Sequence, residues 1–384
     1  MPAPLAVYIH WPFCKKKCPY CDFNSHVRDN VDHEAWAAAF EQEIAHFAKD
    51  LPNRQVTSVF FGGGTPSLMM PKTIQRCLKA LQKQWSMADN CEVTLEANPT
   101  SSEADKFKAF KQAGINRLSI GVQSLDNKVL QFLGREHSAE EAIKVIEMAS
   151  TIFARSSFDL IYGRPEQSPE SWAKELRQAL SFNPDHISVY QLTIEQGTEF
   201  FTRAKRGDFI MPNKDLEAHF YEVTQEILAE AGLPAYEISN HAKKGQESRH
   251  NLAYWRYEDY VGVGAGAHGR YKRQDGTRIS TRAHKAPEVW LERVQQHGHS
   301  QVTEETITNE DAFEEMLMMG LRLISGVGFD DIYNKTGIHF TQKIDPRKLL
   351  QLSDEGYINY TDQHIQCTES GLKTLDSLLV YLLG

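Results

Sequence analysis

The chain has 384 residues, 41% of them apolar and 24% charged, with a formal net charge of −9. This is the balance of an ordinary water-soluble globular protein long enough for two or three domains, and its acidity argues against broad binding to nucleic acid or to acidic membrane. No apolar run approaches the roughly 20 residues that span a bilayer, and six cysteines over this length, after a start without the basic-then-apolar signal pattern, do not make a secreted disulfide scaffold.

The first apolar run, Ala6–Ile9, is a predicted strand. It leads into a loop with Cys14, Cys18 and Cys21 at the spacing C-x3-C-x2-C, and Phe23 stands where a fourth cysteine would continue the series. Iron–sulfur clusters normally take four cysteine ligands. Three thiolates leave one iron of a [4Fe-4S] cube open, which is the ligand set of an S-adenosylmethionine (SAM) radical site. Zinc stays open as an alternative, because His10 or His26 could complete a four-ligand set. A labile cluster needs reducing surroundings, so the cytoplasm is the expected location.

Further strands are predicted at Ser58–Phe61, Glu92–Leu95, Arg117–Ile120, Ser157–Ile161 and His186–Leu192. Helical patterns lie between them near 32–49, 71–85, 102–113, 138–152, 169–182 and 215–231. Six strand–helix units predict an α/β fold with a parallel sheet, a partial (β/α)6 TIM-like barrel. In such folds the chemistry gathers at the carboxyl ends of the strands. Strand two ends in Gly62-Gly63-Gly64-Thr65, strand three at Glu96, strand four at Gln123, and strand five holds Asp159. These residues are expected to converge on one mouth.

The composition changes after residue 232. Residues 233–300 read as an α/β extension with His250-Asn251-Leu252-Ala253-Tyr254-Trp255, the glycine-rich Gly262–Gly269 and a hairpin signal at Asp275-Gly276. Residues 296–310 read as a polar linker. A C-terminal unit, 305–384, combines helices at Phe313–Ile324 and Lys348–Glu355 with a strand pair, Tyr357–Tyr360 and His364–Thr368, and a last helix over Leu372–Leu383. Helices followed by a short hairpin predict a winged-helix-like domain, in which Met316, Met318 and Met319 read as core packing. The unit has no basic recognition helix, which counts against DNA binding. The first domain is accordingly 1–232.

Seven motifs in order, Y-I-H-x-P-F-C-x3-C-x2-C, G-G-G-T-P-S, L-E-x-N-P, R-x-S-x-G-V-Q-S, G-R-x-H, D-L-I-Y-G-x-P and N-P-D-x-I-S-V-Y, cover nearly all of the first 200 residues. Together they resemble the HemN-like, coproporphyrinogen dehydrogenase branch of the radical SAM superfamily. The resemblance implies a [4Fe-4S] cluster on Cys14, Cys18 and Cys21, with SAM beside it. It implies that Tyr8 lies against SAM and that Gly63, Gly64 and Thr65 hold its methionine end. Arg135 would grip the SAM carboxylate in a fork geometry. Glu96 and Asp159 would accept from ribose hydroxyls or the ammonium, and Gln123 offers both a donor and an acceptor.

Two departures redirect the functional expectation. Dehydrogenases of this branch resemble C-x3-C-x2-C-x-C, whereas this chain has Phe23, and it carries the H-N-x-x-Y-W string at 250–255. Both features resemble the HemW-type sister group of heme chaperones. That implies a protein that binds heme and passes it to acceptor proteins, respiratory and membrane-associated ones among the candidates. By the same resemblance His250 is a candidate axial ligand for heme iron, with His268 a second. The competing expectation is an enzyme, an oxygen-independent coproporphyrinogen III dehydrogenase. The balance leans away from that activity.

Overall fold

The computed structural model describes residues 2–384. Its main sheet begins with β1 (Ala3–Trp11), β2 (Arg54–Gly63), β3 (Ser86–Ala97), β4 (Arg117–Gln123), β5 (Arg155–Tyr162) and β6 (His186–Gln191). Each pairs in parallel with the next, and helices such as His33–Asp50, Pro71–Gln84, Ala139–Ile152 and Pro169–Leu180 lie between them in the chain. Strand alternation sets the inner and outer faces. Along β1, Leu5, Val7, Ile9 and Trp11 join the large core, where Trp11 meets Trp36 edge-on and Trp36 stacks on Trp290 at 4.7 Å. Tyr8 and His10 alternate with them and face the barrel interior.

The sheet is wider than the six predicted strands. Short β7 (Asn240–Ala242) caps β6 antiparallel. On the other side, β8 (Tyr260–Val263) pairs parallel with β1 as a seventh parallel strand. It continues into antiparallel β9 (His268–Lys272), β10 (Arg278–Ala283) and β11 (Gln301–Thr306). The full order is β11-β10-β9-β8-β1-β2-β3-β4-β5-β6-β7, an open barrel. The hairpin signal at Asp275-Gly276 is the β9–β10 turn. Residues 296–310 are not a linker: they contain the end of helix Pro287–His297 and edge strand β11. That strand looks like a linker because its largely exposed face carries Thr and Glu, the polar character of a protected edge.

The C-terminal part has its own apolar core around Phe313, Leu317, Ile332, Ile365 and Leu378. A three-stranded sheet of Val327–Gly328, His364–Cys367 and Ile358–Tyr360 packs with it. Met316 is buried there, but Met318 is 50% exposed, so the methionine stripe is only partly core. The predicted last helix is broken at Thr374 into Glu369–Lys373 and Leu375–Leu383. Tyr257 reaches into this core, and its hydroxyl donates to Glu315 at 2.7 Å, the carboxylate that also pairs with Arg270.

Glu43, fully buried on helix His33–Asp50, ties the sheet extension to the barrel. Its carboxylate accepts from the Gly264 amide at 2.8 Å, Trp290 Nε1 at 3.1 Å and the Ser300 amide at 3.1 Å. Burial pushes this carboxyl up to about 7 against the pull of those donors. Truncation would leave three buried donors unpaired, each carrying a desolvation penalty. Glu43→Ala should therefore lose about 3 kcal/mol or more of unfolding free energy, measured by urea titration. A loss under about 1 kcal/mol would show that the three donors find other partners.

Candidate functional site

The cysteine loop is held at both ends. Phe13–Cys14 pairs in parallel with His26–Val27 and closes the loop at its base. Beyond the cysteines, Asn24 Nδ2 donates to the carbonyls of Ala265 and Lys285 at 2.9 and 3.0 Å, while the Asn24 carbonyl receives His10 Nε2 at 2.9 Å. Each thiol has a polar neighbour. Thr65 Oγ1 donates to Cys14 Sγ at 3.4 Å, Arg135 Nη1 donates to Cys18 Sγ at 3.4 Å, and Ser25 Oγ lies 4.0 Å from Cys21 Sγ. Burial raises the Cys14 and Cys21 thiols above their ordinary value. The other three cysteines, Cys77, Cys91 and Cys367, are buried elsewhere.

This packing counts against the zinc alternative. His10 has both ring nitrogens engaged, by Tyr8 at 3.1 Å and by the Asn24 carbonyl, and His26 Nε2 lies 3.2 Å from Asn24 Oδ1. Among the described residues no three His, Cys, Asp or Glu side chains converge tightly enough to hold a single ion. A multi-iron cube takes each thiolate at a different corner, so its ligands stand further apart. Three thiols around one mouth fit that donor pattern.

The mouth opens on a cavity of about 370 Å³ lined by all three cysteines together with Gly63, Gly64, Thr65, Glu96, Gln123, Arg135 and Asp159. Gly63 turns with φ of +115°, and a Cβ there would lie 2.6 Å from the His10 ring, so only glycine fits. The turn's amides are already spent: Gly63 on Glu96 Oε2 at 3.2 Å, Gly64 on the Trp11 carbonyl and Thr65 on the Phe13 carbonyl. What the turn offers a ligand is therefore its carbonyl oxygens, acceptors suited to an ammonium. The Thr65 hydroxyl donates to Cys14 Sγ, and the residue lines the cavity beside it. Gln123 has a left-handed φ of 70° at an irregularity between β4 and β5, a strained conformation of the kind that collects at functional sites. Gly121 leaves room for the Gln123 amide and the Arg135 guanidinium to cross the strand.

Two buried polar atoms in this wall lack any partner, Asp159 Oδ1 and Arg135 Nε. Burial, followed by the charge of Asp159, pushes Glu96 up to about 8, and burial pushes Asp159 up to about 6. Two acids with raised pKa values beside a guanidinium offer partners for both charges of a zwitterion. Sequence reasoning missed Asn98, Ser119, Tyr20 and Tyr190, which also line the cavity. Asn98 was within reach by strand alternation, two residues beyond Glu96 on the same face; it bridges Arg135 at 2.6 Å and Thr65 at 3.3 Å.

Tyr8 and His250 stand outside the cavity lining. The Tyr8 ring packs beneath Gly62, whose added Cβ would lie 2.7 Å from it, so Tyr8 supports the glycine turn from behind. His250 sits on helix Arg249–Trp255, 1% exposed. Its Nδ1 lies 2.9 Å from Ser58 Oγ, its Nε2 2.8 Å from the Tyr254 hydroxyl, and its ring is tilted against Phe60 and Tyr8. Both nitrogens are engaged in the interior, so the structure places His250 as a packed, hydrogen-bonded side chain. His268, by contrast, is exposed at the start of β9.

An open parallel barrel with three thiols at the end of its first strand and a polar cavity beside them defines a radical SAM protein. The pattern of the radical SAM superfamily matches residues 8–179, and that of the HemN C-terminal domain matches residues 307–373. The chain is 36% identical to the heme chaperone HemW of Escherichia coli, covering 99% of this chain and 98% of that protein. It is 38% identical to the bovine mitochondrial radical S-adenosyl methionine domain-containing protein 1, covering 100% of this chain and 89% of that one. The structure of coproporphyrinogen III oxidase (HemN) from Escherichia coli shares the fold, with a TM-score of 0.82 and 24% identity over 99% of this chain and 90% of that chain. The chain thus belongs to the HemW family of the radical SAM superfamily, whose members carry a [4Fe-4S] cluster and SAM.

The packing of His250 generates a direct test. His250→Ala removes a buried ring and strands the Ser58 and Tyr254 hydroxyls, so it should cost about 2–4 kcal/mol of folding stability. Chemical denaturation measures this, and a change below about 0.5 kcal/mol would refute the supporting role.

Proposed function

We infer that this protein is a heme chaperone: it binds heme and transfers it to heme-requiring acceptors, membrane-associated respiratory proteins among them. The observation that carries the reading is the full-length likeness to the HemW heme chaperones, joined to Phe23 in place of a fourth cysteine. Cys14, Cys18 and Cys21 hold the cluster and leave one iron for SAM. When bound, the pair supplies one-electron chemistry at the adenosyl–sulfur bond. The chain's own residues bind and orient: Arg135 takes the SAM carboxylate, the Gly63–Gly64 carbonyls and Glu96 take the ammonium, and Asp159 and Gln123 take the ribose. Thiolate-held iron suits a reducing compartment such as the cytoplasm, and no helix among the described residues is long and apolar enough to cross a membrane.

The deciding experiment reconstitutes the cluster anaerobically and divides one preparation. One portion is titrated with heme; the other is given reductant, SAM and coproporphyrinogen III. Heme uptake without protoporphyrinogen formation is the expected result, and sustained decarboxylation would replace the chaperone with the dehydrogenase. Cys14→Ala, Cys18→Ala and Cys21→Ala should each lose the cluster's visible absorbance, and its retention in all three would remove the ligand assignment.

SAM binding should also depend on pH. Glu96 is held at about 8 in the free cavity, whereas a bound ammonium favours its ionised form. Binding below that value must expel a proton, so affinity rises by up to about tenfold per pH unit from pH 6 toward 8 and then levels. Glu96→Gln should weaken binding and flatten the slope. An equally steep slope in that variant would assign the titration to another group.

A further inference from the structure

The strand ends beside the cysteine loop form a second surface, separate from the cavity. After β8 the chain turns at Gly264–Ala267 and enters β9 with exposed His268. Two backbone bonds tie this turn to the end of β10: Ala283 N–H donates to the Ala267 carbonyl and Gly266 N–H to the His284 carbonyl, both at 2.9 Å. His268 lies directly opposite Arg282 in the antiparallel ladder, where facing side chains are near neighbours. Asn24 bridges Ala265 and Lys285, so the cysteine loop is fastened to this same patch. The residue before Asn24 is Phe23, 59% exposed at the rim of the mouth.

The charges of the patch are unbalanced. Arg270, Arg273 and Arg278 of the β9–β10 hairpin are each paired with carboxylates, and so is Arg28 of the loop. Exposed Arg282 and Lys285 have no ion-pair partner among the described residues. The patch thus combines an exposed imidazole, two unpaired cations and an exposed aromatic face. Burial, then Arg270, Arg282 and Lys285, lower the pKa of His268 and favour its neutral form, the one that binds metal.

We propose that heme docks on this patch, with its iron on His268, its propionates on Arg282 and Lys285, and its ring edge against Phe23. The proposal rests on the chaperone reading and gives it a place. A flat, iron-bearing dianion matches each element: an imidazole for the metal, cations for the carboxylates and an exposed ring for the apolar face. It also gives Phe23 a use. At that position a fourth cysteine would add a thiol to the mouth; the phenyl ring adds apolar surface to its outer lip.

The test titrates the full, cluster-loaded chain with hemin and records difference spectra in the Soret region. Wild type should show a histidine-ligated band. His268→Ala should lose at least about tenfold in affinity and shift that band, and imidazole added to His268→Gly should restore it. Arg282→Glu with Lys285→Glu should weaken binding while leaving the band position in place. Cluster content should be unchanged throughout, because these side chains are exposed. If wild type binds hemin and His268→Ala binds it with the same affinity and band, this site is wrong and the chaperone reading stands. The same holds if only His26→Ala abolishes ligation. If wild type takes up no hemin, the chaperone reading falls, and this site falls with it.

Discussion

Three thiols can hold a cluster only if the loop that carries them keeps its shape, and a short loop of lysines, proline and cysteines has no core of its own. The structure meets this constraint by fastening the loop from outside. Asn24 ties its end to the Gly264–Ala267 turn and to Lys285, while His10 fixes the Asn24 carbonyl from the strand that starts the loop. That turn is itself held by Glu43, whose buried carboxylate also collects Trp290 and Ser300. The extension beyond residue 240 therefore buttresses the cluster site, although it contributes no side chain to the cavity lining. Its seventh parallel strand, β8, brings the buttress alongside β1.

Much of this was legible in the sequence, for identifiable reasons. The six strands from β1 to β6 are largely apolar and β-branched, with glycine or polar residues at or just past most of their ends, so both their type and the convergence of Glu96, Gln123 and Asp159 could be read from the pattern. β8 escaped because it is only four residues long and includes Gly262, and so short a run cannot be told from a loop. β11 escaped because an exposed edge strand is written in polar residues. The methionine stripe misled because adjacent helical positions point in different directions: Met316 turns inward and Met318 outward.

The H-N-x-x-Y-W string shows how chemical type and structural place can diverge. A histidine between aromatic residues reads as a ligand, but here the helix Arg249–Trp255 packs against β2 and carries His250 into the interior. The amide of His250 donates to Glu92 at 3.2 Å, and Glu92 pairs with Arg155 at 2.6 Å. The string closes the barrel below Tyr8 and the glycine turn. No local sequence signal separates a histidine aimed at solvent from one aimed at a serine 192 positions away. The exposed His268 is placed differently: it follows a glycine-rich turn, and the fold makes it the first residue of a strand.

The burial of Cys77, Cys91 and Cys367 has a consequence for how the protein is matured. Burial raises Cys77 and pushes Cys91 and Cys367 up to about 12, so all three stay as unreactive thiols at physiological pH. Cys14 is buried to a similar degree, and what sets the loop cysteines apart is that all three line the open cavity. A chain with six thiols presents a single address for metallation, and the fold achieves this by gathering three of them on one cavity, without removing the surplus cysteines from the sequence.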